Sequence, residues 1–183
     1  MKATGIVRRI DDLGRVVIPK EIRRTMRIRE GDPLEIYTDR EGEVIFKKYS
    51  PIGELASFAS QYVDTLNKIC AMSVVITDRD VVISSAGVSK KEYNDKKLSE
   101  EYESIMDGRS LYHFKDTKIN VCDGASGYVK YAMPIISEGD VIGSVACITN
   151  DEGVSIDTHS TEAKLIQTLA LELSTQKRCC GLN

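Results

Sequence analysis

Tryptophan is missing from this 183-residue chain, histidine occurs twice and proline four times. No apolar run approaches the ~20 residues that a helix needs to cross a bilayer. The opening MKATGIVRRIDDLGR lacks the apolar core of an export signal. These absences exclude a membrane-spanning or exported protein and leave a cytoplasmic one as the expectation. The five cysteines, Cys70, Cys122, Cys147, Cys179 and Cys180, form no CxxC pair and no disulfide framework. Neither His113 nor His159 stands near a cysteine at zinc-ligand spacing. No metal site is expected, and Cys179–Cys180 is only an adjacent pair of thiols.

Catalytic patterns are missing too. The chain has no GxSxG elbow, no phosphate-binding P-loop, no GxGxxG after a strand and no HExxH. Carboxylates of the second half are scattered over turns and helix-prone stretches, as on a solvated surface. No pair of titratable groups presents itself as acid and base, so neither an enzyme nor a cofactor is expected.

What is present is a charge asymmetry. The net charge of −3 conceals a basic front end. Residues 1–50 hold 12 Lys and Arg against 9 Asp and Glu, and residues 1–29 hold 9 against 3. Such a split reads as a basic module joined to an acidic one.

The front module reads as strand, strand, helix, strand, strand. Residues 5–10 (GIVRRI) and 15–18 (RVVI) are short β-rich runs around the turn Asp11-Asp12-Leu13-Gly14. Pro19 opens PKEIRRTMR, in which Ile22 and Met26 share a face. Gly31-Asp32-Pro33 ends that helix, and 34–38 and 43–48 follow as a hairpin. Fifty residues of this kind bury little surface and leave strand edges unpaired. A second copy that completes the sheet is therefore expected.

Ser50-Pro51 marks a boundary, giving domains 1–50 and 51–183. A long helix is expected over 52–71. Its stripe of Ile52, Leu55, Ala59, Tyr62, Leu66 and Ile69 has the spacing of a lengthwise helix pair. The same stripe equally fits a helix covering its own sheet. Next come a hairpin (73–77 and 81–84), a helix-prone stretch (90–106), a short strand (111–115), two strong strands (127–136 and 141–149) and a final helix (158–177). One antiparallel sheet with helices on a face makes an α+β domain.

The arginines carry the functional signal. Arg8 and Arg9 lie on the first run, Arg15 opens the second, and Arg23, Arg24 and Arg27 are placed on the short helix. Strand neighbours diverge, so only one of Arg8 and Arg9 can face a given groove. Helix neighbours lie ~100° apart, so Arg23 and Arg24 can reach one surface. The arginine fork pairs with phosphates and guanine edges, whereas lysine acts as a point charge. The same residues also fit a solvated helix face.

The run GIVRRIDDLGRVVIPKEIRRTMRIREGDPLEIYTDREGEVIFKKY resembles the AbrB-type swapped-hairpin DNA-binding domain of bacterial transition-state regulators. That resemblance implies an intertwined dimer on double-stranded DNA, contacted by the arginines at positions Arg8, Arg15, Arg23 and Arg24. Arg9 stands where the family varies. The whole chain is similar to a family of stage V sporulation regulators, in which a GAF-like domain follows the basic one. In the second half the hairpin AMPIISEGDVIGSVACIT, with Gly143 after its turn, carries the likeness. The resemblance implies a homotetramer joined through helices of the GAF-like domain, and control, positive and negative, of late genes in the forespore. AT-rich promoter DNA is the implied target.

Two rivals stay open: a small-molecule sensor whose DNA binding is secondary, and an antitoxin-like protein whose main partner is a toxin. Ser84, Ser85, Gly87 and the loop at Asp123-Gly124 could line a ligand pocket or be ordinary turns. A purely structural, oligomerising role for the second domain competes with sensing.

Overall fold

The computed structural model describes residues 4–151 and 156–180, with side chains described to residue 176. The pair Cys179–Cys180 lies outside the described side chains. The chain divides into two compact units, Met1–Tyr49 and Ser50–Asn183.

In the first unit, helix α1 (Lys20–Thr25) precedes a hairpin of β1 (Leu34–Thr38) and β2 (Val44–Lys48). Leu34 pairs with Lys48 and Thr38 with Val44. Pro19 caps α1 from outside, and its carbonyl accepts the first helical bond from the Arg23 N–H. The expected strands over 5–10 and 15–18 form no ladder within one chain, though the turn between them closes with the Asp11 N–H bonded to the Arg15 carbonyl at 3.1 Å. A strand needs a neighbour for its backbone groups, and among the described residues the unit supplies none for these two runs. Their side chains are bare as well, with Val7 89% and Val17 71% exposed.

The second unit begins with α2 (Pro51–Glu54) and α3 (Ala56–Cys70). The single helix expected there is divided at Leu55, whose backbone ends one helix and starts the next. Then follow β3 (Ser73–Thr77), β4 (Val82–Ala86), α4 (Lys90–Tyr93), α5 (Glu100–Asp107), β5 (Tyr112–His113), β6 (Tyr128–Ser137), β7 (Asp140–Thr149) and α6 (Thr161–Cys180). The five strands form one antiparallel sheet in the order β4-β3-β7-β6-β5.

Alternation along the strands sends side chains into two cores. Val74, Ile76, Tyr131, Ile135, Val145 and Cys147 meet α2, α3 and α6 on one face. Val75, Val82, Val129, Ala132 and Ala146 meet Tyr93, Leu98, Tyr102, Met106 and Val121 on the other. A register shift between Val129 and Tyr131 lets both face opposite cores although they stand two apart. The bulged Lys130 is ion-paired with Glu162 on α6.

The helical stripe read from 52–69 covers its own sheet. Ile52 and Ala59 are fully buried and Leu55, Tyr62 and Leu66 pack beside them, but Ile69 is exposed. Likewise Ile166, Leu169, Ala170 and Leu173 of α6 are buried, as their spacing predicts. The helix expected over 90–106 is interrupted because residues 95–98 run along the edge of β4. There the Val82 N–H donates to Lys96, the Asp95 N–H to Val82 and the Leu98 N–H to Asp80. This segment protects an edge that would otherwise be open to pairing.

Candidate nucleic-acid interface

Each of the four predicted arginines, Arg8, Arg15, Arg23 and Arg24, lies in the first unit with its side chain on solvent. Arg8 sits on the extended run before the turn. Arg15 sits just after it, and its position has a local cause. Oδ1 of Asp11 accepts the N–H groups of Leu13 (3.1 Å) and Arg15 (2.8 Å), while Oδ2 accepts Arg15 Nε at 2.7 Å. Asp11 thus shapes the turn and aims the guanidinium, leaving the Arg15 side chain 70% exposed. The Arg15 backbone N–H, and then its guanidinium, hold the Asp11 carboxyl below the usual carboxylate range.

Arg23 and Arg24 occupy the last turn of α1, where positive side chains also suit the helix dipole. Arg27 does not project from the helix as expected. It lies beyond the Met26 cap, at φ +52°, in the left-handed region. Met26 is exposed rather than sharing a core face with Ile22. Asp11 was missed by the sequence reading, although its place four residues ahead of Arg15 was the available signal.

In the second unit, two of the residues considered for a ligand pocket, Ser85 and Gly87, have structural employment. Ser84 and Ser85 are buried in β4, and Ser85 Oγ donates to Asn94 Oδ1 at 2.6 Å. Gly87, at φ +76°, packs so closely on Ser73 that a Cβ would stand 2.8 Å from its Cα. Asp123 and Gly124 lie on an exposed loop. Beneath α5 the hydroxyls of Thr77, Ser144 and Tyr102 form a buried chain, both links at 2.7 Å. Burial pushes the Tyr102 phenol upward, so it remains a neutral hydrogen-bonding group. An open groove elsewhere is lined by Glu101, Ser104, Ile105, Tyr112, His113 and Ile119. Among the described residues no group of His, Cys, Asp and Glu is placed to hold a metal ion, and no helix is long and apolar enough to cross a membrane.

A small basic unit with exposed apolar strands, followed by a five-stranded antiparallel sheet between helices, has the make-up of a two-domain bacterial regulator. Residues 54–177 match the family described as stage V sporulation protein T C-terminal, transcription factor. The chain is 52% identical to stage V sporulation protein T of Bacillus subtilis (strain 168) over 96% of its own length and 98% of that protein. It belongs to the stage V sporulation protein T family, and it is a sporulation transcription regulator that joins an AbrB-like domain to a GAF-like one.

Residues 7–53 match a family described as antidote-toxin recognition MazE, bacterial antitoxin. The transition state regulatory protein AbrB of B. subtilis is 65% identical over 51 residues, covering 28% of this chain and 52% of that protein. The GAF domain of a phosphoenolpyruvate-protein phosphotransferase from Coxiella burnetii shares the fold of the second unit. It has 14% identity and a TM-score of 0.52, covering 70% of this chain and 87% of that one.

Proposed function

We propose that this regulator binds double-stranded DNA through residues 1–50, with Arg8, Arg15, Arg23 and Arg24 as the contacting side chains. The observation that carries the reading is the coincidence, in one unit, of four outward arginines with a row of bare apolar residues, Val7, Ile10, Val16 and Val17 among them. Water disfavours such a surface, and a second copy covers it by pairing the strands that lack partners. Interlocking two copies doubles the arginines on one face, and each phosphate they neutralise releases counterions. Few side chains enter a groove in this arrangement, so shape and deformability of AT-rich promoter DNA outweigh base-edge contacts.

Residues 51–183 serve as linker helix and GAF-like regulatory and oligomerisation domain, joining two dimers into a tetramer. The protein acts in the cytoplasm of the forespore, activating some late genes and repressing others, without catalysis, cofactor or membrane. A small-molecule ligand of the GAF-like domain would act by shifting DNA affinity; a tenfold shift, about 1.4 kcal/mol, would make sensing a principal role. The match over residues 7–53 to an antitoxin family supports the second reading, a toxin partner. It is the weaker one, because a folded unit follows where a toxin-wrapping tail would begin.

The test is electrophoretic mobility of the full chain on AT-rich and GC-rich duplexes, with native mass spectrometry of protein taken from cells. Tetramers that shift AT-rich DNA preferentially are expected. A monomer that leaves both duplexes unshifted would overturn the reading.

A further inference from the structure

Helix α1 ends in a double cap. The Arg27 N–H donates to the Arg24 carbonyl at 3.2 Å and the Ile28 N–H to the Arg23 carbonyl at 2.8 Å. This pattern requires a left-handed residue just past the helix, a position glycine usually takes. Here Arg27 takes it at φ +52°, a conformation that a side chain makes costly. Something must hold it.

The holder comes from the far end of the hairpin. Lys48 Nζ, on β2, donates to the Arg27 carbonyl oxygen at 2.9 Å and lies 3.2 Å from Asp32 Oδ2. That same Asp32 oxygen accepts the Arg29 N–H at 2.8 Å. Both charged groups are mostly covered, the Asp32 side chain at 8% exposure and that of Lys48 at 27%. The ammonium therefore bridges the strained residue and a fixed carboxylate, and it points inward.

We propose that Lys48 and Asp32 are positioning residues for DNA binding, acting through Arg27 to fix the last turn of α1 and with it the directions of Arg23 and Arg24. The inference rests on the DNA-binding reading above. It separates Lys48 from the contacting arginines: its charge serves the cap rather than a phosphate.

The test uses the full chain on an AT-rich duplex over a salt series, together with hydrogen exchange of the Arg27 and Ile28 amides without DNA. Lys48→Met should weaken binding about tenfold or more, the worth of one hydrogen bond to a charged group. It should leave the slope of log affinity against log salt unchanged and speed exchange at both amides. Asp32→Asn should do the same more mildly, and Lys48→Arg should restore binding. Arg27→Gly in the Lys48→Met background should restore amide protection, since glycine accepts positive φ without strain. Should Lys48→Met fail to fold, Asp32→Asn carries the same measurements. A slope smaller by about 0.9 in Lys48→Met would make Lys48 a phosphate contact and overturn the proposal. Unchanged affinity or unchanged amide protection would overturn it equally. If the unaltered protein shows no salt-dependent binding, the DNA-binding reading itself fails, a result distinct from either of these.

Discussion

Asp11 binds Arg15 twice, once through the backbone N–H at 2.8 Å and once through Nε at 2.7 Å. The carboxylate that makes the turn is also the group that sets the arginine. Replacing Asp11 by Ala removes both functions and should weaken DNA binding about fivefold, in the range of one or two modest hydrogen bonds. Asp11→Asn retains an oxygen for the backbone and should stay within about twofold of the unaltered protein. Fluorescence anisotropy on a labelled duplex measures both. Because the folded carboxyl titrates below its ordinary value, its contribution to the turn is complete above that value. It is lost as pH falls through the lower, folded value. An NMR titration of the Asp11 carboxyl should show that downward displacement, and Arg15→Ala should reduce it without abolishing it, because the backbone N–H at position 15 remains.

Val17 is 71% exposed in the single chain, and its neighbours in sequence have no strand partner there among the described residues. An aspartate at that position would place a charge where the second copy is proposed to pack. Sedimentation of Val17→Asp should show loss of the assembly, accompanied by loss of DNA binding. An unchanged mass would remove the reason given for the exposed strands.

Gly143 is fixed by close approach rather than by its turn. A Cβ there would stand 2.1 Å from the Thr77 carbonyl oxygen and 3.2 Å from Asp78 Cα. Backbone cannot yield as a side-chain tip does, so Gly143→Ala should cost about 3 kcal/mol, the upper end of overpacking effects. Urea unfolding followed by circular dichroism checks this in the second unit.

Nearby, Tyr102→Phe removes one hydroxyl from the chain through Ser144 to Thr77. Ser144 keeps Thr77 as a partner, so the expected loss is only about 1 kcal/mol. The same unfolding experiment should rank the two variants in that order.

Much of the second unit was legible because period and chemistry agree there. The apolar runs at 73–77, 127–136 and 141–149 became β3, β6 and β7, and the stripe from Ile166 to Leu173 became the buried side of α6. Other features were not, for identifiable reasons. The runs over 5–10 and 15–18 have the composition of strands, but a ladder is a property of two strands, and among the described residues neither run pairs with the other or with the rest of the unit. The break at residues 95–98 comes from hydrogen bonds to Val82 and Asp80, contacts that no local pattern records. The break at Leu55 is a backbone turn within an otherwise helical stripe. Arg27 carried a helix former's identity and was placed on α1, although the structure uses it to end that helix. Among the arginines, the family resemblance singled out Arg8, Arg15, Arg23 and Arg24, all of which stand on solvent, while residue type and spacing alone grouped Arg27 with the helical pair. Asp11 and Lys48 act through turn or tertiary geometry that the sequence pattern does not record.

The central claim is that a duplicated arginine face grips a polyanion. Its most direct test is the salt dependence of DNA affinity for the unaltered protein and for Arg8→Ala, Arg15→Ala, Arg23→Ala and Arg24→Ala, each confirmed to keep its fold and mass. The unaltered protein should lose affinity steeply with salt, and each substitution should weaken binding and flatten the slope by about 0.9 for every phosphate it leaves without a neutralising charge. Four variants indistinguishable from the unaltered protein in both affinity and slope would contradict the account.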